Sequence, residues 1–219
     1  LFGQRRTGKT ELLRKFKKDA ERYAIIPYVN LERSIPRMDN FSLHFVTELV
    51  RSATGDIDTD MDWSQLIVSS QNIGKRTQDS IARLINQLEK EKKDIDTIGE
   101  ALFRIPKLVS DEKELPVIYI IDEFQEIKGI HDRILHIMRA NTEKVDSVNY
   151  WVAGSIFSAF NDIFKGKSPF YGQFRRMDLT RFDRGSTYEL VDGLLPFTVP
   201  AEHKKIIFKA TGGNPFFIT

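Results

Sequence analysis

Eight residues near the start of the chain, Gly3-Gln4-Arg5-Arg6-Thr7-Gly8-Lys9-Thr10, match the pattern G-x-x-x-x-G-K-[ST] in full. Glycines at both ends let the backbone wrap so that its N–H groups converge, and a helix starting at the lysine adds the positive end of its dipole. Such a concavity suits phosphate. Lys9 is expected to reach the β- and γ-phosphates of a nucleotide, and Thr10 to offer its hydroxyl to magnesium, a hard cation that takes oxygen ligands. On average residue usage the pattern arises by chance in about one chain in a hundred of this length. A second motif is therefore needed to set it apart from an ordinary glycine-rich turn.

That motif lies downstream. Val117-Ile118-Tyr119-Ile120-Ile121 is an uninterrupted apolar run ending in Asp122-Glu123, the pattern of a strand covered on both faces with acids at its C-terminal tip. Alone, such a pair reads as a strand end meeting solvent. Beside a phosphate loop, Asp122 is expected to hold magnesium through water and Glu123 to orient and activate the attacking water.

Other candidates have two readings each. Tyr150-Trp151-Val152-Ala153 ends in Gly154-Ser155, where Ser155 is either a hydroxyl sensing the γ-phosphate or the cap of a helix beginning at Ile156; both roles can be filled together. Arg175 and Arg176 precede a third strand candidate, 176–180. They are either surface arginines or residues that approach the γ-phosphate, in cis or from a neighbouring subunit. His131 and His136 are five apart and are expected to line a helix rather than bind metal.

Between these motifs, helices and strands alternate. Leu13, Phe16, Ala20 and Tyr23 recur at helical spacing over about 8–22, with Arg14, Lys15, Lys17, Lys18 and Arg22 on the other faces. Residues 24–31 read as a strand, with Pro27 near its start or at the sheet edge. Further helices are expected over 40–53, after a polar loop at 55–62, over 77–91, around Ile98 to Leu108, over 132–143 and over 201–210. Asn214 is a cap with Pro215 at the first helical position. This order calls for a mainly parallel α/β sheet with its ligand beyond the strand C-termini.

Composition excludes other classes. The 219 residues suffice for one large domain, or one domain and a small attachment. With 33 basic and 31 acidic residues the net charge is +2, too small to argue for nucleic acid or anionic lipid. The chain has no cysteine and so no thiolate metal site or disulfide framework, which suits a reducing cytoplasm. No apolar run approaches the roughly 20 residues that span a bilayer. Only Leu1-Phe2 precedes the glycine loop, so most of the strand expected there is missing and the chain reads as a piece of a longer protein.

At Gly3 to Leu13, Ile120-Ile121-Asp122-Glu123-Phe124-Gln125, Ala153-Gly154-Ser155 and Thr211-Gly212-Gly213-Asn214-Pro215 the sequence resembles the archaeal-type P-loop ATPase family, in the STAND and AAA+-like branch. The resemblance implies a three-layer, AAA+-like α/β core with a mainly parallel five-stranded sheet over residues 1–200. It implies a helical lid starting at 201–219 and a further C-terminal domain outside this chain. It also implies nucleotide contacts from Gly3 to Glu11 and from Gly213, Asn214 and Pro215, the last three near the adenine, and a sensor role for Ser155. Relatives usually carry an arginine directly after the glycine that precedes the last strand. Here Gln173 follows Gly172, leaving Arg175 and Arg176 as displaced candidates.

The expectation is an ATP- and magnesium-dependent ATPase whose cycle moves a lid and attached domains. The alternative is a STAND-type switch or scaffold that turns over slowly, and a small-molecule kinase is the weakest reading. Expected partners are ATP and ADP with magnesium, and a second copy of the chain or a protein client. Nucleic acid enters only through domains outside the chain.

Overall fold

The computed structural model describes residues 1–33, 37–56, 61–143, 145–155, 157–166 and 168–219. The elements run α1 (Lys9–Ala20), β1 (Tyr28–Asn30), α2 (Met38–Thr54), α3 (Trp63–Ser70), α4 (Lys75–Leu88), α5 (Ile95–Lys113), β2 (Val117–Asp122), α6 (Ile134–Thr142), β3 (Val148–Val152), α7 (Phe157–Phe164), α8 (Arg184–Leu194), α9 (Ala201–Thr211) and α10 (Pro215–Ile218). The loop expected at 55–62 falls partly on 57–60, outside the described residues.

β2 is the centre of the sheet, paired in parallel with β1 on one side and β3 on the other. Its apolar run is explained by burial on both faces. Tyr119 and Ile121 join the large core under α2, α4 and α5, while Ile120 packs with Leu13 of α1, Ile26 and Ala153 on the opposite face. Tyr119 stacks on Phe45 of α2 at 4.1 Å between ring centroids and donates its hydroxyl to the Phe45 carbonyl at 2.6 Å. β1 is an edge strand, and Pro27, just before it, uses its carbonyl to accept from Ile120 N–H. Proline is tolerated at this edge because the ladder needs no N–H from that position.

The sheet has three strands among the described residues, not the expected five. The two further positions are single bridges: Phe2 pairs in parallel with both Gly154 and Asp178. Phe2 N–H donates to Met177 O at 2.8 Å, and Leu179 N–H donates to Phe2 O at 2.6 Å. Beside β3, Leu1 donates its amino group to Val152 O at 2.6 Å and accepts from Gly154 N–H at 3.2 Å, and Gly3 then turns into the phosphate loop; within 176–180 the bridge is at Asp178. The order across the sheet is nonetheless β1, β2, β3, Phe2, Asp178. This leaves the loop after Phe2 at the same C-terminal edge as Asp122.

Local chemistry sets the helix ends. α3 begins with a capping box between Asp62 and Gln65. Glu112 of α5 accepts from the backbone N–H groups of Arg76 and Thr77 at the start of α4, at 2.9 and 3.0 Å. α8, which the sequence pattern does not announce, is capped by Asp183 through Ser186 N–H at 2.8 Å. It packs with α9 and α10. No described helix is long and apolar enough to cross a membrane.

Candidate nucleotide site

The loop between Phe2 and α1 is built on left-handed backbone. Gly8, immediately before the helix, has φ 87°, a region open to glycine, and Arg6 has φ 64°. Lys9 is 6% exposed, and its ammonium folds back to donate to the carbonyls of Gly3 and Gln4 at 2.9 and 2.8 Å. Burial holds the Lys9 pKa below its ordinary value, against the opposing pull of Glu123 and Asp122. Thr7 is also buried and donates to Gln4 O at 2.8 Å, bracing the loop from inside.

Asp122 lies 1% exposed at the tip of β2. Thr10 donates its hydroxyl to Asp122 Oδ2 at 2.8 Å, which joins the two residues that the sequence places 112 apart. Tyr28 donates to the same oxygen at 2.7 Å, and Glu123 N–H to Oδ1 at 3.0 Å. Burial first, and the Asp122 contact second, raise the Tyr28 pKa, so the phenol remains a neutral donor. Paired oxygens from Thr10 and Asp122 form a donor set suited to a hard divalent cation. Among the described residues no three acidic or histidine side chains are placed to hold a metal together, so such an ion would complete its shell with water and phosphate.

Glu123 has φ 52°, which turns its side chain away from the strand direction. Its carboxylate accepts from Ser155 Oγ at 3.2 and 2.9 Å and from the Gln125 amide. Ser155 therefore stands beside the candidate water-activating acid. Its capping role falls on Ile156, outside the described residues.

Lys9, Thr10, Glu123 and Ser155 face a cleft of about 480 Å³, lined also by Arg5, Arg6, Gly8 and Glu11 of the loop, by Glu32, and by Pro215 and Phe216 of α10. That volume is in the range of small-ligand clefts, about 300–1,000 Å³. Arg6 lies over the Phe216 ring at 4.3 Å, and the Asn214 side chain caps α10 by accepting from Phe216 N–H at 3.0 Å. Arg181 also reaches the loop, donating to Gln4 Oε1 at 3.2 Å.

Arg175 and Arg176 are exposed and do not line this cleft. Arg176 pairs with Asp178 at 2.8 Å and lies over the Phe2 ring at 4.8 Å. His131 accepts from Arg133 N–H just before α6, and His136 sits within α6, as expected of helix-edge residues.

The family model for an ATPase domain found predominantly in Archaea matches residues 1–219. The chain belongs to that family. Among solved structures, this archaeal-type ATPase domain is similar to a Walker-type ATPase of Pyrococcus abyssi, with TM-score 0.63 and 18% identity, covering 99% of this chain and 59% of the other. It is also similar to the ORC2 protein of Aeropyrum pernix in ADPNP–ADP complexes, with TM-score 0.58 and 14% identity, covering 99% of this chain and 52% of that one. The chain thus spans less than two thirds of either neighbour, and at these identities the likeness is one of fold. No curated protein gives a significant match.

The turn Gly212-Gly213 brings α10 to the cleft. Gly213 has φ 72°, and a β-carbon there would stand 2.0 Å from the Phe182 carbonyl oxygen. Its own carbonyl accepts from Phe182 N–H at 2.8 Å. Gly213→Ala is expected to destabilise the domain by roughly 1–3 kcal/mol, the cost of a strained backbone residue. Thermal or urea unfolding checks this; an unchanged midpoint would show that the turn is not needed to dock α10.

Proposed function

We propose that this domain binds ATP with magnesium in the cleft above the phosphate loop and hydrolyses it. The observation that carries the reading is the convergence of Thr10 and Glu123 on the groove next to Lys9, with the buried carboxylate of Asp122 accepting from Thr10 at 2.8 Å. Loop N–H groups and Lys9 hold the triphosphate, and Thr10 and Asp122 hold the cation. Magnesium, when bound, neutralises charge on the β- and γ-phosphates. Glu123 then accepts a proton from the water aligned on the γ-phosphorus as its oxygen attacks, and the terminal P–O bond to ADP breaks.

Gly213, Asn214 and Pro215 belong to the same reading as the adenine-side wall, and α8 to α10 as the start of a helical lid. The packing of α8 on α9 and α10 supports placing that lid from Arg184 rather than from residue 201. Nucleotide exchange would act through the Arg6–Phe216 contact, which joins the loop to α10. Ser155 is a sensor of the γ-phosphate, acting through Glu123. Arg175 and Arg176 serve the site only by moving or by reaching a neighbouring copy of the chain.

A second reading, a nucleotide switch with little turnover, is favoured by one observation. Both carboxylate oxygens of Glu123 are engaged by Ser155, and one also by Gln125. A base so held has few lone pairs left for water. Phosphate release by the wild type beside Glu123→Gln separates the two: turnover that the variant loses supports hydrolysis, and background rates in both, with ATP still bound, support the switch.

A further inference from the structure

Asp122 is held by more than the residues that a phosphate loop and a strand tip provide. The third group is Tyr28, which reaches Asp122 Oδ2 at 2.7 Å from 94 residues earlier in the chain. The reach follows from the sheet. β1 pairs with β2 so that Tyr28 stands opposite Ile120 and Asn30 opposite Asp122. Tyr28, Ile120 and Asp122 therefore project to the same face, and Tyr28 and Asp122 are diagonal neighbours across the two strands, a spacing that an aromatic side chain can span. The ring lies partly buried against the α1 side of the sheet with Leu13 and Ile120.

We infer that Tyr28 is a positioning residue for Asp122, setting the carboxylate plane from which the magnesium site is built; this rests on the nucleotide reading given above. Two hydroxyls share Oδ2, one from Thr10 and one from Tyr28, while Oδ1 takes the Glu123 N–H. Thr10 is the member of this set that must turn its own lone pairs to a cation. The phenol is different: it is outside the cleft lining, and its contribution is to fix the rotation of Asp122 about its side-chain bonds. Removing it leaves the carboxylate anchored on Thr10 and one backbone N–H only. Outer-shell partners of this kind change metal affinity by about 10–100-fold when they are lost.

The test is binding of a non-hydrolysable fluorescent ATP analogue to the wild type and Tyr28→Phe, titrated with magnesium and repeated in EDTA. The variant removes one oxygen and keeps the ring, so packing is retained, and a thermal melt checks that it is folded. Expected is a shift of the magnesium midpoint upward by about tenfold or more, with unchanged affinity in EDTA. An identical magnesium midpoint in a wild type that depends on magnesium overturns the inference alone. Equal losses with and without magnesium also overturn it, since they mark a merely structural role. Wild-type binding that ignores magnesium removes the metal-site reading and the inference with it.

Discussion

Glu123→Gln is expected to slow phosphate release by about 10²–10⁴-fold, the range for removing a general base, and to leave ATP affinity within a few-fold of the wild type. Glutamine keeps the size and the acceptor oxygen of the side chain but cannot take a proton. The geometry makes this substitution mild in every other respect. Ser155 Oγ can still donate to the remaining oxygen, which it meets at 2.9–3.2 Å in the wild type. The one unfavourable change is at Gln125, whose amide nitrogen donates to the Glu123 carboxylate in the wild type and whose amide oxygen is buried without a partner. An amide at 123 can turn its own N–H toward that oxygen, so the pair has a satisfied arrangement. A variant that binds ATP as the wild type does and turns over as fast removes Glu123 from the chemistry. A loss of binding equal to the loss of rate assigns it to holding nucleotide instead.

The parts of this site that can be read from sequence are those set by local pattern. The glycine spacing fixes a loop, a buried parallel strand must be apolar throughout, and its acids must lie where it meets the cleft. Pro27 marks an edge strand for the same kind of reason. Less legible are contacts that depend on strand register. Nothing near Tyr28 in sequence announces that it meets Asp122, and Gln125 looks like part of a motif until the left-handed turn at Glu123 folds its amide back. The strand expected at 176–180 is a single bridge, Asp178 to Phe2; Arg176, Met177 and Asp178 are exposed, so no buried apolar face holds that segment in a longer ladder. α8 lacks a helical stripe because Thr187 and Val191 are the residues buried in it, too few to mark a face. Its cap, Asp183 three residues before Ser186, was the available signal. The Arg176–Asp178 pair was also readable, since residues two apart in extended chain share a face.

Lys9→Met is expected to weaken ATP binding by about 10²–10⁴-fold. Hydrogen bonds to charged groups contribute about 1.5–3 kcal/mol each, and a lysine serving two phosphates gives about 3–6 kcal/mol, at 1.4 kcal/mol per tenfold. Methionine keeps the length and apolar stem of a side chain that is already buried. The effect on the empty protein is expected to be different in sign. Burial depresses the Lys9 pKa in the folded state, so the folded protein binds this proton less readily than the unfolded chain. The ammonium thus opposes folding below the depressed folded pKa, and the penalty fades as pH rises through the ordinary lysine range. The bonds to Gly3 and Gln4 carbonyls offset part of it. At neutral pH without nucleotide, Lys9→Met should therefore melt no lower than the wild type, and any advantage should shrink at alkaline pH. With ATP and magnesium the order reverses, because ligand that binds only the folded state raises the wild-type melting point and leaves the variant's in place. Equal stabilisation of both proteins by ATP would remove Lys9 from the phosphate site.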